Sequence, residues 1–223
     1  MANKIVRWVG NFFAPPEGAG IDVKRRHVIE AGVAGLGGGL LFHASPAATR
    51  RDLNPAFIRP PGALVEDDFL AKCIRCGECM KACPTNAIQP AMLEAGLQAM
   101  WSPLLKMRLG YCEFKCNACT EVCPTGAIAK LPLEKKQKTK IGLSMVDKDR
   151  CLPYAYGKQC QMCYDQCPLS DKAISMVEAD VTVGSKTLKL KQPQVDSKLC
   201  IGCGICENKC PVEGKSAIRV VSV

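Results

Sequence analysis

The feature that most constrains this chain is a C-x2-C-x2-C-x3-C-P run that begins at Cys73 and ends at Pro84. In bacterial proteins this spacing holds iron–sulfur cubanes, and its fourth cysteine binds a different cluster from the first three. The short gaps curl the backbone around one cluster, and the proline turns the chain away after the fourth thiolate. The same spacing recurs in a second regular run near the end of the sequence. The cysteines of the two regular runs are Cys73, Cys76, Cys79 and Cys83, then Cys200, Cys203, Cys206 and Cys210.

Two looser cysteine quartets lie between the regular runs, and each also ends in Cys-Pro. Their cysteines are Cys112, Cys116, Cys119 and Cys123, then Cys151, Cys160, Cys163 and Cys167. An eight-residue gap follows Cys151, which makes it the least regular ligand, but without it one cluster would lack a thiolate. All sixteen cysteines therefore belong to quartets, which predicts four [4Fe-4S] clusters with these cysteines as iron ligands.

Two other uses of sixteen cysteines fit this pattern less well. Eight disulfides would suit a secreted scaffold, but such scaffolds have no need of quartets that end in Cys-Pro. Zinc also accepts four cysteines, but its ribbon and finger sites separate two CxxC pairs widely. A structural zinc protein with an interaction role stays as the least favoured alternative.

The composition and charge of the chain bear on its stability and its partners. Only 5% of the residues are aromatic, so an ordinary core would be thin and bound metal would supply folding free energy. The formal net charge of +9 indicates an acidic partner or an anionic membrane surface, or else a solvated basic face. We expect residues 133–140 to form a solvated, lysine-rich loop that could steer an acidic partner.

The chain divides into four predicted parts. Residues 1–22 read as an amphipathic or disordered segment, and residues 23–48 resemble a twin-arginine signal that stays as a membrane anchor helix. Residues 49–64 are polar and proline-rich, which predicts a linker. Residues 65–223 then form the polyferredoxin domain.

A repeat in the polyferredoxin domain predicts an α+β fold. Each of four units reads as a short strand, a cysteine loop, Cys-Pro, a short helix, Ala-Ile and another short strand. Alternation over residues 177–190 predicts a β-hairpin. The apolar spacing over residues 90–109 predicts an amphipathic helix interrupted at Pro103.

Two units make one bacterial-type dicluster ferredoxin module, so four units predict two modules. We expect nested pairing, of units one and four and of units two and three, because an ordinary hairpin links units two and three. The sequential order, one with two and three with four, stays open because hairpin signals also join units three and four. The nested ligand sets are Cys73, Cys76, Cys79 and Cys210; Cys200, Cys203, Cys206 and Cys83; Cys112, Cys116, Cys119 and Cys167; and Cys151, Cys160, Cys163 and Cys123.

With its twin-arginine leader, its quartet order and the lead-in Arg59-Pro60-Pro61-Gly62-Ala63, the chain resembles the NapG/MauM ferredoxin-type proteins. The resemblance implies a four-cluster electron carrier on the periplasmic face of the bacterial inner membrane. It also implies two partners. One is a polytopic membrane iron–sulfur or quinol-oxidising subunit, and the other is an extracytoplasmic redox protein such as a cytochrome c or a terminal reductase. Similar electron-transfer subunits of molybdenum oxidoreductases use the nested order.

The sequence therefore predicts an electron-transfer subunit and not an enzyme by itself. It contains no visible Ser/His/Asp set, no Gly-rich nucleotide loop and only two histidines. The alternative is a dedicated iron–sulfur subunit of a multi-subunit respiratory oxidoreductase whose catalytic site lies on another chain.

Overall fold

The computed structural model describes residues 57–92, 96–183 and 186–222, together with Gly32. The predicted segment 1–22 and most of the predicted anchor helix 23–48 lie outside these residues. No helix within the described ranges is long and apolar enough to cross a membrane. The described elements, in chain order, are α1 (Glu66–Lys72), α2 (Glu78–Lys81), β1 (Ile88–Pro90), a 3₁₀ helix (Leu97–Ala99), β2 (Pro103–Leu105), α3 (Ala118–Glu121), α4 (Leu133–Lys138), β3 (Leu143–Val146), α5 (Leu152–Ala155), α6 (Met162–Asp165), β4 (Ile174–Val183), β5 (Lys186–Val195), α7 (Ile205–Asn208) and β6 (Ile218–Val221).

These elements form two modules on one plan, a first module of residues 57–131 and a second module of residues 141–222. In the first module β1 pairs antiparallel with β2, and an isolated antiparallel bridge joins Ala63 to Ile128. In the second module β4 pairs antiparallel with β5, and β3 pairs antiparallel with β6. Each module therefore has a central hairpin between its two cysteine quartets and a second pairing that brings its two ends together.

Four equivalent backbone hydrogen bonds show which units pair. In each, an N–H before one quartet donates to the alanine carbonyl of the Ala-Ile pair after the other quartet of the same module. The four bonds are Leu64 to Ala127 at 3.1 Å, Lys106 to Ala87 at 2.8 Å, Asp147 to Ala217 at 2.7 Å and Asp196 to Ala173 at 2.7 Å. Unit one thus interlocks with unit two, and unit three with unit four.

The short helix of each unit contains the third cysteine and ends before the fourth, and does not follow Cys-Pro as expected. These helices are α2, α3, α6 and α7. In the regular runs the residue before the helix is a glycine with a left-handed backbone, Gly77 at φ 79° and Gly204 at φ 78°. The proline after the fourth cysteine then prevents the helix from continuing.

The core includes the four repeated Ala-Ile pairs and six buried cysteines. All four Ala-Ile pairs are at most 3% exposed. One buried cluster contains Phe69, Cys79 and Cys119 of the first module and also Val220 of the second module, so the two modules share a core. A smaller cluster contains Cys163 and Cys206.

Three expectations are corrected by the structure. The helix expected over residues 90–109 is wrong for the described part of this stretch, which contains the 3₁₀ helix and β2. Residues 58–64, expected to belong to a linker, are part of the first module, because Ile58 is 2% exposed and Ala63 bridges to Ile128. The expected loop at residues 133–140 contains helix α4, whose Lys136 is only 3% exposed.

The hairpin expected over residues 177–190 is confirmed as β4 and β5, although its turn lies outside the described residues.

Candidate metal centres

Three recesses in the structure are each lined by four cysteines, three from one run and the last from the partner run. We name them by the run that supplies three cysteines. The first site contains Cys73, Cys76, Cys79 and Cys123; the third site contains Cys151, Cys160, Cys163 and Cys210; the fourth site contains Cys200, Cys203, Cys206 and Cys167.

The remaining four cysteines form the second site, Cys112, Cys116 and Cys119 together with Cys83. Their closeness shows in their mutual electrostatics. Burial raises the pKa of Cys112; the Lys136 ammonium partly offsets this rise, while negative charge on Cys83 and Cys116 adds to it. Burial likewise raises the pKa of Cys119 to about 12, with further contributions from Cys112, from Cys79 of the first site, and from Cys116 and Cys83.

The nested grouping expected from the sequence is therefore wrong. Cys210 lines the third site and not the first, and Cys83 lies with the second run and not the fourth. The physical reason is the strand pairing. Because β3 pairs with β6 and Ala63 bridges to Ile128, each module closes on itself and brings the fourth cysteine of each unit to its neighbouring unit.

Hydrogen-bond donors point at the fourth cysteines of the first two runs. The Thr85 hydroxyl lies 3.5 Å from Cys83 Sγ, and the Ile128 N–H donates to Cys123 Sγ at 3.4 Å. Burial opposes ionisation at both cysteines, but these donors and neighbouring backbone N–H groups lower the pKa of Cys83 and of Cys123. In the second module the Ala217 N–H donates to Cys210 Sγ at 3.4 Å. The protein therefore favours thiolates at Cys83 and Cys123.

Several cysteines among the first three of each run behave in the opposite way. Burial raises the pKa of Cys79, Cys163 and Cys203 to about 12 and raises that of Cys151 to about 11. Burial also raises the pKa of Cys206. Metal ligation requires thiolates, so bound positive charge would have to compensate for burial at these positions. The four sites together offer sixteen thiol donors in four groups of four. Some of these sulfurs are shielded from water, and some accept hydrogen bonds from N–H groups. This donor set fits [4Fe-4S] clusters.

The arrangement within each group also bears on the kind of metal centre. Among the residues that the structure describes, no three His, Cys, Asp or Glu side chains form a group that could hold a single metal ion. The cysteines stand instead around the walls of the recesses. A cubane would bind one thiolate at each of its four iron atoms, and each of the three recesses supplies four cysteines.

Two polar residues near the sites were missed by the sequence reasoning. Ser144 is 4% exposed; its N–H donates to Cys200 Sγ at 3.5 Å, and its hydroxyl lies 3.3 Å from Cys206 Sγ. Buried Lys136 donates to the backbone carbonyls of Glu113 and Phe114 beside the second site. Nothing in the lysine-rich stretch around Lys136 indicates that this side chain is buried. Ser144, in contrast, is a polar residue in an apolar strand, and that is a signal that could have been noticed.

Comparisons with known proteins identify the same kind of domain in this chain. The model of the 4Fe-4S dicluster domain matches residues 72–127 and 157–213, which correspond to the two modules. The chain is 38% identical over 166 residues to the ferredoxin-type protein NapG of Escherichia coli, covering 74% of this chain and 70% of that protein. It is 37% identical over 193 residues to the methylamine utilization ferredoxin-type protein MauM of Methylorubrum extorquens, covering 86% and 83%. It is also 31% identical over 161 residues to the ferredoxin-type protein NapF of Escherichia coli.

Proposed function

Because the chain belongs to the family of ferredoxin-type proteins that includes NapG and MauM, we propose that it carries electrons through four [4Fe-4S] clusters. The observation that carries the proposal is the grouping of all sixteen cysteines into four sets of four. Each set combines three cysteines of one run with the last cysteine of its partner run. This is the ligand arrangement of two-cluster bacterial ferredoxins.

The ligand sets we propose are those of the four sites, shared within each module. A bound [4Fe-4S] cluster supplies reversible one-electron chemistry. The chain's own residues bind it through thiolates, exclude water with the Ala-Ile pairs and direct N–H groups at the sulfurs. Such hydrogen bonds stabilise the reduced, more negative state and so raise the reduction potential.

For the cellular setting, we propose that the protein works at the periplasmic face of the bacterial inner membrane. Support comes from the paired residues Arg25 and Arg26 before an apolar, Gly-rich stretch, the pattern of a twin-arginine export signal. That route exports folded proteins, which suits a chain whose clusters are inserted in the cytoplasm. Its proposed partners are a membrane quinol-oxidising or iron–sulfur subunit and an extracytoplasmic redox protein.

The carrier function is tested by an anaerobic redox titration of the reconstituted full chain, followed by EPR spectroscopy. We expect four reversible one-electron reductions per chain. A reconstituted chain that takes up no electrons over the range of roughly −700 to +450 mV covered by such clusters would contradict the proposal.

The second candidate function is that of a dedicated subunit of a respiratory oxidoreductase. The proteins that co-purify with the chain distinguish it from a free carrier. Purification from membranes in mild detergent should then yield a large catalytic chain or a cytochrome in fixed stoichiometry. A free carrier would leave such partners during purification.

A further inference from the structure

The second and fourth sites lie against each other where the two modules meet. The backbone N–H of Cys112 donates to the carbonyl oxygen of Cys203 at 2.8 Å. One hydrogen bond therefore joins a residue of the second site directly to a residue of the fourth.

Arg108 holds this contact in place. It lies shortly before the second run, and its guanidinium donates to carbonyl oxygens within and just after the fourth run. The acceptors are Glu207 at 3.1 Å, Cys210 at 2.9 Å and Val212 at 2.6 Å. The Asn208 amide donates in return to the Arg108 carbonyl at 3.3 Å. The planar guanidinium fixes the two segments in one orientation because it donates along several directions at once.

Close packing completes the junction. Gly204 in the fourth run has φ 78°, and a Cβ at this position would overlap the side chain of Met107. Met107 belongs to the first module and is 3% exposed. Gly77 occupies the equivalent place in the first run with φ 79°, and a Cβ there would meet nothing within 4 Å. The glycine of the fourth run is thus required by the contact between the modules as well as by its backbone.

The two sites within each module are also neighbours. Cys79 of the first site and Cys119 of the second belong to one buried cluster. Cys163 of the third site and Cys206 of the fourth belong to the other. The contacts between sites therefore run from first to second, from second to fourth and from fourth to third.

We propose that the four sites stand in the order first, second, fourth, third, and that an electron crosses between the modules at the Cys112–Cys203 contact. This order rests on the proposed function. In the crossing one site loses one electron and the facing site gains it, while no bond breaks and no proton moves. The first and third sites are then the two ends of the path, although they are not the first and last in the sequence.

The order is tested with chains that retain only two sites. Replacing the second cysteine of a run by alanine removes one site, so C76A with C160A retains the second and fourth sites. The matched chain, C116A with C203A, retains the first and third. Both are reconstituted anaerobically at full length, iron determination checks that two clusters remain, and EPR spectra are recorded after full reduction with dithionite.

Spin–spin interaction between reduced clusters falls steeply with distance. We expect it in the chain with the second and fourth sites and not in the chain with the first and third. Any other pattern, including interaction in both chains or in neither, overturns the order.

A second experiment keeps all sixteen cysteines, in case the paired variants lose more than two clusters. Gly204→Ala is compared with Gly77→Ala, since both place a Cβ on a left-handed backbone but only the first meets Met107. We expect Gly204→Ala to speed hydrogen exchange at the Cys112 amide and to weaken the spin–spin interaction more than Gly77→Ala does. Equal effects of the two substitutions, including no effect of either, overturn the order.

These experiments separate the order from the function on which it rests. If the unaltered chain binds no iron after reconstitution, the proposed function fails before any interaction is measured. If the order alone is wrong, the iron content stays intact and only the pattern of interactions changes.

Discussion

At the scale of single residues, Ser144 distinguishes the fourth site from the second. The register pairs Val146 with Ile218, and the equivalent bridge in the first module joins Ala63 to Ile128. Pro61 therefore takes the place of Ser144 in the first module, and it has neither an N–H nor a hydroxyl group. The fourth site thus receives from Ser144 two donors that Pro61 does not offer to the second site.

We predict that Ser144→Ala lowers the reduction potential of the fourth site. A hydrogen bond of this kind contributes about 1 kcal/mol, which is on the order of 40 mV for one electron. In an EPR-monitored redox titration, one of the four reductions should shift to lower potential. Ser175→Ala, on the exposed face of β4, serves as the control and should shift none. An unchanged or raised potential in Ser144→Ala would contradict this role.

Arg59 anchors the start of the first module. Its guanidinium forms two hydrogen bonds with the Glu66 carboxylate, at 2.6 and 2.9 Å, and lies between the rings of Phe57 and Phe69. It also donates to the Ser102 hydroxyl at 2.8 Å and to the Pro103 carbonyl at 2.7 Å. The side chain is 11% exposed, so solvent weakens these interactions little.

We predict that Arg59→Lys destabilises the loaded chain by roughly 2 kcal/mol, because lysine loses both the paired geometry and the ring stacking. The unfolding temperature, followed by the visible absorbance of the clusters, should fall by about 4–8 °C. Arg219→Lys is the control, since Arg219 is 45% exposed and its ion pair with Asp147 has one contact of 3.2 Å. Similar losses in both variants would show that Arg59 has no special role.

At the scale of elements, the lead-in Arg59–Ala63 closes the first module through Gly62. Gly62 has φ +83°, and a Cβ there would lie 2.6 Å from the Ala129 carbonyl oxygen. The Gly62 carbonyl in turn accepts a hydrogen bond from the Ala129 N–H at 2.7 Å. This short turn therefore sits directly against the strand segment that follows the second run.

We predict that Gly62→Ala destabilises the first module more than Gly126→Ala does. Both glycines have positive φ, which costs a residue with a Cβ about 1 kcal/mol, but Gly126 faces open space. Hydrogen exchange should therefore quicken in residues 57–131 for Gly62→Ala, while the second module changes little. Equal exchange in the two variants would contradict the steric argument.

The sequence predicts elements well where local pattern decides them. The alternation that ends in Leu190 predicts the β4–β5 hairpin correctly. The prediction from sequence fails over residues 90–109, where Leu and Met residues have helical spacing. The same stretch contains Pro103 and has positive φ at Gly96 and Trp101, which a regular helix does not accommodate. There, tertiary pairing of β1 with β2 outweighs the local preference.

At the scale of the whole molecule, the cysteine grouping depends on contacts between distant strands. Every cysteine is visible in the sequence, but the partner of each fourth cysteine is set by which unit closes on which. The hairpin signal between units two and three favoured the nested order. Instead, helix α4 and the following residues connect the modules, and Arg108, Met107 and Gly204 hold them together.

The grouping predicts where the loss of a fourth cysteine acts. Cys83→Ala should damage the second site, and Cys210→Ala should damage the third, with the other module retaining its clusters. Iron content and the EPR spectrum of the reduced chain measure both effects. Under the nested order, Cys83→Ala would damage the fourth site and Cys210→Ala the first.

The most direct test of the account is the metal content of the unaltered full chain, purified and reconstituted anaerobically. Four [4Fe-4S] clusters predict about sixteen iron ions and about sixteen acid-labile sulfides per chain, with EPR signals that appear on reduction. A chain that holds zinc at about four ions, without sulfide and without a reducible signal, would contradict it.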